Sequence, residues 1–242
     1  MELKDRIAVV TGGSQGIGFA TVQALAKESV KVIALVRDLD VLNQSLDSLG
    51  AASKAQITGI RTDVRDENDV QQTFKQIITE FGHIDILVNC AGVSMSDKKR
   101  LEDSDTAEWK RIIDTNLTGT YLMCREALPL MISRNSGFII NILSTAAYKS
   151  SSGNSLYAAS KFGVRALTEA MIEENRRSGI RISSISPGAV DTPIWNHKTN
   201  FVTPEDRATM LRPEDISSLV MYLLCLPMTV HIENMTVTPW LR

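Results

Sequence analysis

Tyr157 and Lys161 stand four residues apart in the run Tyr-Ala-Ala-Ser-Lys. On a helix that spacing puts both side chains on one face, a single turn from each other. An ammonium beside a phenol favours the phenolate and lowers the tyrosine pKa toward working pH. A tyrosine tuned in this way can act as general acid in one direction and general base in the other. A Tyr-x-x-x-Lys pair by itself is more often a surface helix pair. The chemical reading rests on its combination with two further polar residues, Asn116 and Ser144, and with the turn described next.

Near the start of the chain the apolar run Ile7–Val10 leads into Thr-Gly-Gly-Ser-Gln-Gly-Ile-Gly at 11–18. The pattern is G-x-x-x-G-x-G rather than G-x-G-x-x-G, but the physics is shared. Gly12 permits a tight turn, Gly16 lets the backbone approach a pyrophosphate, and Gly18 lets the following helix pack closely on the sheet. The helix N-terminus then faces the phosphates. Many glycine-rich turns are only turns. Its position between a strand and a helix makes this one a nucleotide site.

The elements that must hold these residues follow a regular alternation. Strand candidates are Ile7–Val10, Val32–Val36, Gln56–Ile60, Ile84–Asn89, Phe138–Leu143, Ile180–Ile185 and Met235–Thr238. Several are near-continuous in Val, Ile and Leu, as expected of parallel strands covered on both faces. Helix candidates lie near Gly16–Glu28, Leu39–Leu49, Glu67–Phe81, Asp105–Arg134, Tyr157–Arg177 and Pro213–Leu226. Pro213 suits a first helical position, with Glu214 and Asp215 favourable in the first turn. The alternation runs without linker or repeat, which predicts one α/β domain, doubly wound, with seven strands. The stretch 187–212 shows little periodicity and contains Pro193, Pro204 and Trp195. It follows the sixth strand, at the carboxyl edge where such folds bind ligands, and is read as a substrate loop.

Bulk composition narrows the partners. The 242 residues carry a formal net charge of −2, and Lys and Arg form no block. That argues against nucleic acid or an anionic membrane as the main partner. The apolar stretch Leu219 to Met228 is about half a spanning helix. No secretory apolar region precedes Ile7. Cys90, Cys124 and Cys225 read as reduced, mostly buried thiols of a cytoplasmic protein. His83, His197 and His231 are too far apart for metal-ligand spacing, so no metal is expected.

Taken together, the sequence resembles the short-chain dehydrogenase/reductase family, in its compact single-domain branch, over essentially the whole chain. The resemblance is carried by TGGSQGIG at 11–18, Asp63, Asn-Cys-Ala-Gly at 89–92, Asn116, Ser144, YAASK at 157–161, and Pro187-Gly188 followed by Thr192. It implies a Rossmann-type, mostly parallel seven-stranded sheet with helices on both faces. It also implies hydride transfer between a nicotinamide and a carbonyl carbon. By that resemblance Tyr157 gives its proton to the carbonyl oxygen and Ser144 hydrogen-bonds the same oxygen. Lys161 binds the nicotinamide ribose and depresses the tyrosine pKa, and Asn116 supports a water-linked proton relay. The cofactor is expected on Gly12, Ser14, Gln15, Gly16, Ile17 and Gly18, with Asp63 and Val64 at the adenine. Asn89, Ala91 and Gly92 are expected to line the adenosine side. Ile185 to Gly188, Val190 and Thr192 are expected to flank the nicotinamide.

The choice between NADP and NAD turns on the end of the second strand. An acidic residue there holds a ribose 2′-hydroxyl, and an arginine accepts a 2′-phosphate. The family's NAD-specifying aspartate falls on Val36, and Arg37 follows, so NADP(H) is expected and NAD is the lesser reading. Asp38 would serve NAD if the strand end were shifted, and Gln15 stands where many NADP-preferring relatives carry a basic residue.

Three departures from the family stand out. Cys90 replaces the second asparagine of Asn-Asn-Ala-Gly. Ser29 replaces a helix-ending glycine, at some cost to a left-handed cap. The segment 231–239 lacks the Val-Asp-Gly-Gly ending of 3-oxoacyl-carrier-protein reductases and looks closer to a subgroup acting on small oxo-acids, hydroxy-acids and ketones. The expected substrate is a small carbonyl or alcohol compound, with Trp195, Val93, Ala146 and Asn154 as pocket residues. A non-catalytic NADP-binding sensor or scaffold is the alternative from another class; epimerase or dehydratase chemistry of the longer relatives fits the length poorly. The helices around Leu117, Tyr121, Leu128 and Leu167 suit, by resemblance, a homotetramer or homodimer, and equally an intramolecular core.

Overall fold

The central strands are apolar on both faces, and each face is covered by its own set of helices. The structure, a computed structural model, describes residues 2–199 and 202–240, with the side chain of His197 also outside the described residues. The loop 187–212 therefore falls partly outside it. The elements are β1 (Ile7–Thr11), α1 (Gly16–Lys27), β2 (Lys31–Val36), α2 (Leu39–Leu46), α3 (Ala51–Lys54), β3 (Ile57–Arg61), α4 (Glu67–Phe81) and β4 (Ile86–Asn89). They continue with α5 (Thr106–Ile113), α6 (Gly119–Ile132), β5 (Gly137–Ile142), α7 (Ser155–Glu174), β6 (Ile180–Pro187), α8 (Pro204–Ala208), α9 (Pro213–Cys225) and β7 (Asn234–Val237).

The strands form one sheet in the order β3-β2-β1-β4-β5-β6-β7, and all six pairings are parallel. In β1, Ala8 and Val10 face one core layer with Val22 and Leu25 of α1 and Ile216, Val220 and Leu223 of α9. Ile7 and Val9 face the other, with Val70 and Phe74 of α4, Met123 and Ala127 of α6 and Met171 of α7. This period-two division in a fully buried strand is what a sheet covered on both sides requires. Sequence order reverses between β1 and β4, so the crevice beyond their carboxyl ends is the switch point of the fold.

Four expectations are corrected. The helix expected across Asp105–Arg134 is broken into α5 and α6 by a π-helical turn at Asp114–Thr118, which widens the coil by one residue around Asn116. The helix expected at Leu39–Leu49 ends at Leu46, and α3 follows as a single turn. The loop after β6 contains a 3-10 turn (Pro193–His197), α8, and a parallel bridge between Val190 and Leu211. Of the cysteines expected to be mostly buried, Cys124 is buried and Cys90 packs against the core, but Cys225 is exposed. Ser29 does adopt the left-handed conformation, at φ 58°.

Candidate active site

The glycine turn is tight for steric reasons. Gly12 (φ +64°) and Gly16 (φ +56°) occupy the left-handed region, and a Cβ on Gly12 would stand 3.0 Å from the Ala91 backbone. A Cβ on Gly18 would collide with the Gly12 carbonyl oxygen, so Gly18 packs α1 on the turn rather than on the sheet. A Cβ on Gly16 would lie 3.2 Å from the Thr192 side chain, which sets Thr192 directly across the crevice. Thr11, not singled out by its sequence, pins the neighbouring strand: its buried Oγ1 accepts from Cys90 N and Ala91 N, each at 3.0 Å.

Across the switch point the four expected polar residues come together. Ser144 follows β5 and caps the short turn Thr145–Ala147, its hydroxyl accepting from Ala146 N at 3.1 Å. Tyr157, in the first turn of α7, brings its phenol beside the Ser144 hydroxyl. Lys161 lies one turn on, 5.8 Å from the centre of the Tyr157 ring, and donates to Ile142 O at 3.0 Å. Asn116, inside the π turn, clamps Val93 from both sides, accepting from its N–H at 2.8 Å and donating to its carbonyl at 2.9 Å. The same amide donates to Ser160 Oγ at 3.0 Å, and Ser160 donates to Tyr157 O at 2.7 Å. Asn116 thus reaches α7 through one hydroxyl. Gly92 leaves room between Asn116 and Lys161, since its Cβ would lie 3.5 Å from Asn116 Oδ1 and 3.8 Å from Lys161 Nζ.

The electrostatics differ from the expectation built on spacing. Burial pushes the Tyr157 phenol above its ordinary value, and the neighbouring Ser144 hydroxyl offsets only part of that rise. The Lys161 ammonium is turned to Ile142 O, and burial lowers the lysine itself to about 8. The neighbouring Cys90 thiol is pushed up to about 12 by burial and is neutral.

The other expected contacts divide. Arg37 is exposed immediately beyond β2, while Asp38 is committed to capping α2, accepting from Asp40 N at 2.9 Å. Ser14, Gln15 and Ile17 lie on the turn, with Gln15 at the N-cap of α1. Arg65 holds the Asp63 carboxyl below the usual range through paired hydrogen bonds, the shortest at 2.6 Å, and Val64 is buried beneath Gly119. Asn89 does not line the crevice with its side chain; it is buried and donates inward to Asn141 Oδ1 at 2.9 Å. Ala91 and Gly92 border the turn and the polar group respectively. Gly188 donates to Val237 O at 2.7 Å beside Pro187, and Val190 is bridged to Leu211. Val93, Ala146, Asn154 and Trp195 are buried or half-buried. A hollow of about 450 Å³ lies in the loop after β6, between Asp191, Pro204, Arg207 and Arg212; none of the four polar residues lines it. Among the described residues no cluster of His, Cys, Asp and Glu is placed to hold a metal, and no helix is long and apolar enough to cross a membrane.

A parallel doubly wound sheet with this turn and this polar group defines a class of nucleotide-dependent oxidoreductases. The chain belongs to the short-chain dehydrogenase family, whose model matches residues 6–202. It is 33% identical over 238 residues to an oxidoreductase of Staphylococcus epidermidis, covering 98% of this chain and 99% of that one. It superposes on the closed form of a serine dehydrogenase complexed with NADP+ with a TM-score of 0.87 and 30% identity, covering 96% and 94% of the two chains. A metagenomic short-chain oxidoreductase in complex with NADP matches along the whole of both chains, with a TM-score of 0.84 and 28% identity. The protein is an oxidoreductase of this family.

Proposed function

We propose that the protein interconverts a ketone or aldehyde and an alcohol with NADP(H), using Tyr157 as the general acid and base. The carrying observation is the Tyr157 phenol beside the Ser144 hydroxyl at the carboxyl edge of the sheet, with a buried lysine one turn away. Burial keeps the phenol protonated at neutral pH, the form that donates to a carbonyl oxygen. The Ser144 hydroxyl stands beside that phenol and so marks where the oxygen would sit. Lys161, with its one protein acceptor, offers positive charge to the phenolate as it forms. Asn116 acts through position, holding Val93 and the start of α7.

The residues present fit a dinucleotide. The turn at Gly12 and Gly16 leaves backbone bare where any Cβ would crowd Ala91 or Thr192. Arg37 is free to meet a 2′-phosphate, and Asp38 is already used as a helix cap. Solved relatives complexed with NADP support the same choice. The turn from Gly12 to Gly18, Arg37, Asp63, Ala91, Gly92, Lys161 and the stretch from Pro187 to Thr192 would hold it, and the bound nicotinamide supplies or takes the hydride. Trp109, Tyr121 and Phe162 are exposed on α5, α6 and α7, an apolar surface that supports assembly into a homodimer or homotetramer.

The test is loss of nicotinamide absorbance with NADPH and NADH separately, over ketones, oxo-esters and oxo-acids. Turnover is expected with NADPH and should fall about 10²–10⁴-fold in Tyr157→Phe. Arg37→Ala should raise the KM for NADPH roughly tenfold or more and leave that for NADH little changed. Carbonyl reduction should weaken as pH rises through the phenol pKa, because the donor proton is lost, while alcohol oxidation strengthens. Nucleotide binding without turnover would favour a sensor, and binding of neither nucleotide would overturn the proposal.

A further inference from the structure

A serine of α2 touches the glycine turn from behind. Ser45, half-buried, donates through its hydroxyl to Ser14 O at 2.7 Å, across 31 residues of sequence. A serine inside a helix ordinarily bonds back to the carbonyl four residues earlier. That carbonyl, Val41 O, lies 3.1 Å from Ser45 Oγ, but a hydroxyl has one proton and the shorter contact is the one to Ser14. The helix is firmly seated. Leu42 and Leu46 are buried, and a Cβ on Gly59 of β3 would stand 2.6 Å from Leu42 Cδ2, so α2 lies close against the sheet. Its N-cap, Asp38, follows Arg37 directly.

That contact fixes one peptide of the turn. The bond between Ser14 and Gln15 is trans, and a trans peptide puts its C=O and its N–H on opposite sides. With Ser14 O held against α2, the Gln15 N–H is turned away from α2. In the sheet order β2-β1-β4 the turn stands between α2, which follows β2, and Ala91, which follows β4. Among the described residues the Gln15 N–H has no acceptor, Ser14 O accepts from no backbone N–H, and Gln15 gives α1 no side-chain cap. No other hydrogen bond therefore holds this peptide against rotation. Rotated, it would present a carbonyl oxygen where it now presents a donor, and a carbonyl oxygen repels a phosphate.

We propose that Ser45 is a positioning residue of the nucleotide site. Its hydroxyl holds the Ser14 carbonyl oxygen away from the pyrophosphate and aims the Gln15 N–H at it. This role rests on the dinucleotide reading above and is independent of the carbonyl substrate. Ser45 itself does not touch the nucleotide, and no bond is made or broken at it. Helix α2 then serves both ends of the adenosine half. Its cap follows the arginine offered to the 2′-phosphate, and its second turn orients the peptide offered to the pyrophosphate.

The experiment measures binding of NADPH, NADH and adenosine 2′-monophosphate by calorimetry in the wild type, Ser45→Ala and Ser45→Thr. Ser45→Ala should weaken both dinucleotides roughly 5- to 30-fold, the scale of one hydrogen bond to a charged group. Adenosine 2′-monophosphate has no pyrophosphate, and its binding should not change. Ser45→Thr keeps the hydroxyl and should restore both dinucleotides. Where turnover occurs, the KM for NADPH should rise in Ser45→Ala with kcat unchanged. Alanine favours a helix more than serine does, so Tm should not fall and a folding defect would not mimic the result. Equal weakening of all three ligands would make Ser45 an anchor for α2 and Arg37 and overturn the proposal. Unchanged dinucleotide binding in Ser45→Ala would overturn it too. A wild type that binds neither dinucleotide would overturn the dinucleotide reading and this role with it. Dinucleotide binding that weakens in Ser45→Ala, with no turnover of any carbonyl compound, would uphold Ser45 and overturn the reductase reading instead.

Discussion

Helix α7 drives two polar side chains into the sheet, seven residues apart on one face, and the protein treats them in opposite ways. Thr168 accepts from Asn141 Nδ2 at 2.9 Å and passes its own proton to Val164 O at 2.7 Å. Asn141 Oδ1 in turn accepts from Asn89 Nδ2 at 2.9 Å, so three neutral side chains tie α7 to β5 and β4. Within this group Asn89 Oδ1 is left without a partner. Lys161, two turns earlier, is as well buried but is a cation with a single acceptor on β5. A neutral chain of hydrogen bonds stabilises a core, and an incompletely paired buried charge weakens one. The first region keeps the sheet together. The second stores electrostatic potential that a reaction can use.

Lys161→Met should break that contrast most visibly. Turnover is expected to fall roughly 10²–10³-fold, the scale of losing one preorganised electrostatic group. Stability should move the other way. Burial lowers the Lys161 pKa to about 8, so above that pH the unfolded chain binds a proton the folded one lacks. Wild-type stability therefore rises with pH from about 8 to the unfolded lysine value, and the full burial cost is present below about 8. Urea unfolding between pH 7 and pH 10 should show this slope in the wild type and its absence in the variant. Identical slopes would make Lys161 an ordinary core residue.

Asn141→Leu attacks the neutral chain. It leaves Asn89 Nδ2 with only the weak Cys124 Sγ acceptor and removes the donor to Thr168, which should cost about 2–4 kcal/mol and lower Tm by roughly 4–16 °C. Turnover per folded molecule should change little. A variant that keeps its Tm but loses activity would reverse the two roles. Ser29→Gly lies outside both regions and calibrates them: relieving a left-handed serine should add about 1 kcal/mol, read as a Tm higher by about 2–4 °C with unaltered kinetics.

The same contrast separates what can be read from the sequence from what cannot. Strands buried on both faces advertise themselves as Val and Ile runs, and the glycines of the turn are needed for backbone reasons that any reader can apply. Spacing puts Tyr157 and Lys161 on one helix face, as the structure does, but it says nothing about burial, and burial reverses the direction of the tyrosine pKa. The inward turn of Asn89 depends on Asn141, 52 residues away. The π turn at Asn116 leaves no mark on a helical period. Helix α8 is too short for periodicity to show, yet it carries a local signal: Thr203 and Asp206 form a capping box around Pro204. Ser45 is an ordinary helix serine until the fold brings the Ser14 carbonyl to it.

The pairing of β1 with β4 also bears on how the chain folds. Ala8 meets Ile86, 78 residues on, a wider separation than in any other strand pairing of the sheet. Loop-closure entropy makes that junction the most expensive to form, and the crevice exists only once it has formed. At the far end of the same two strands, buried Asp85 accepts from Ile7 N at 2.9 Å and pairs with Arg6 at 3.1 Å, His83 at 3.1 Å and Arg134 at 3.6 Å. That carboxylate clasps the longest-range junction from behind, so the crevice that opens at one end of β1 and β4 is tied together at the other, at the edge of the sheet farthest from it.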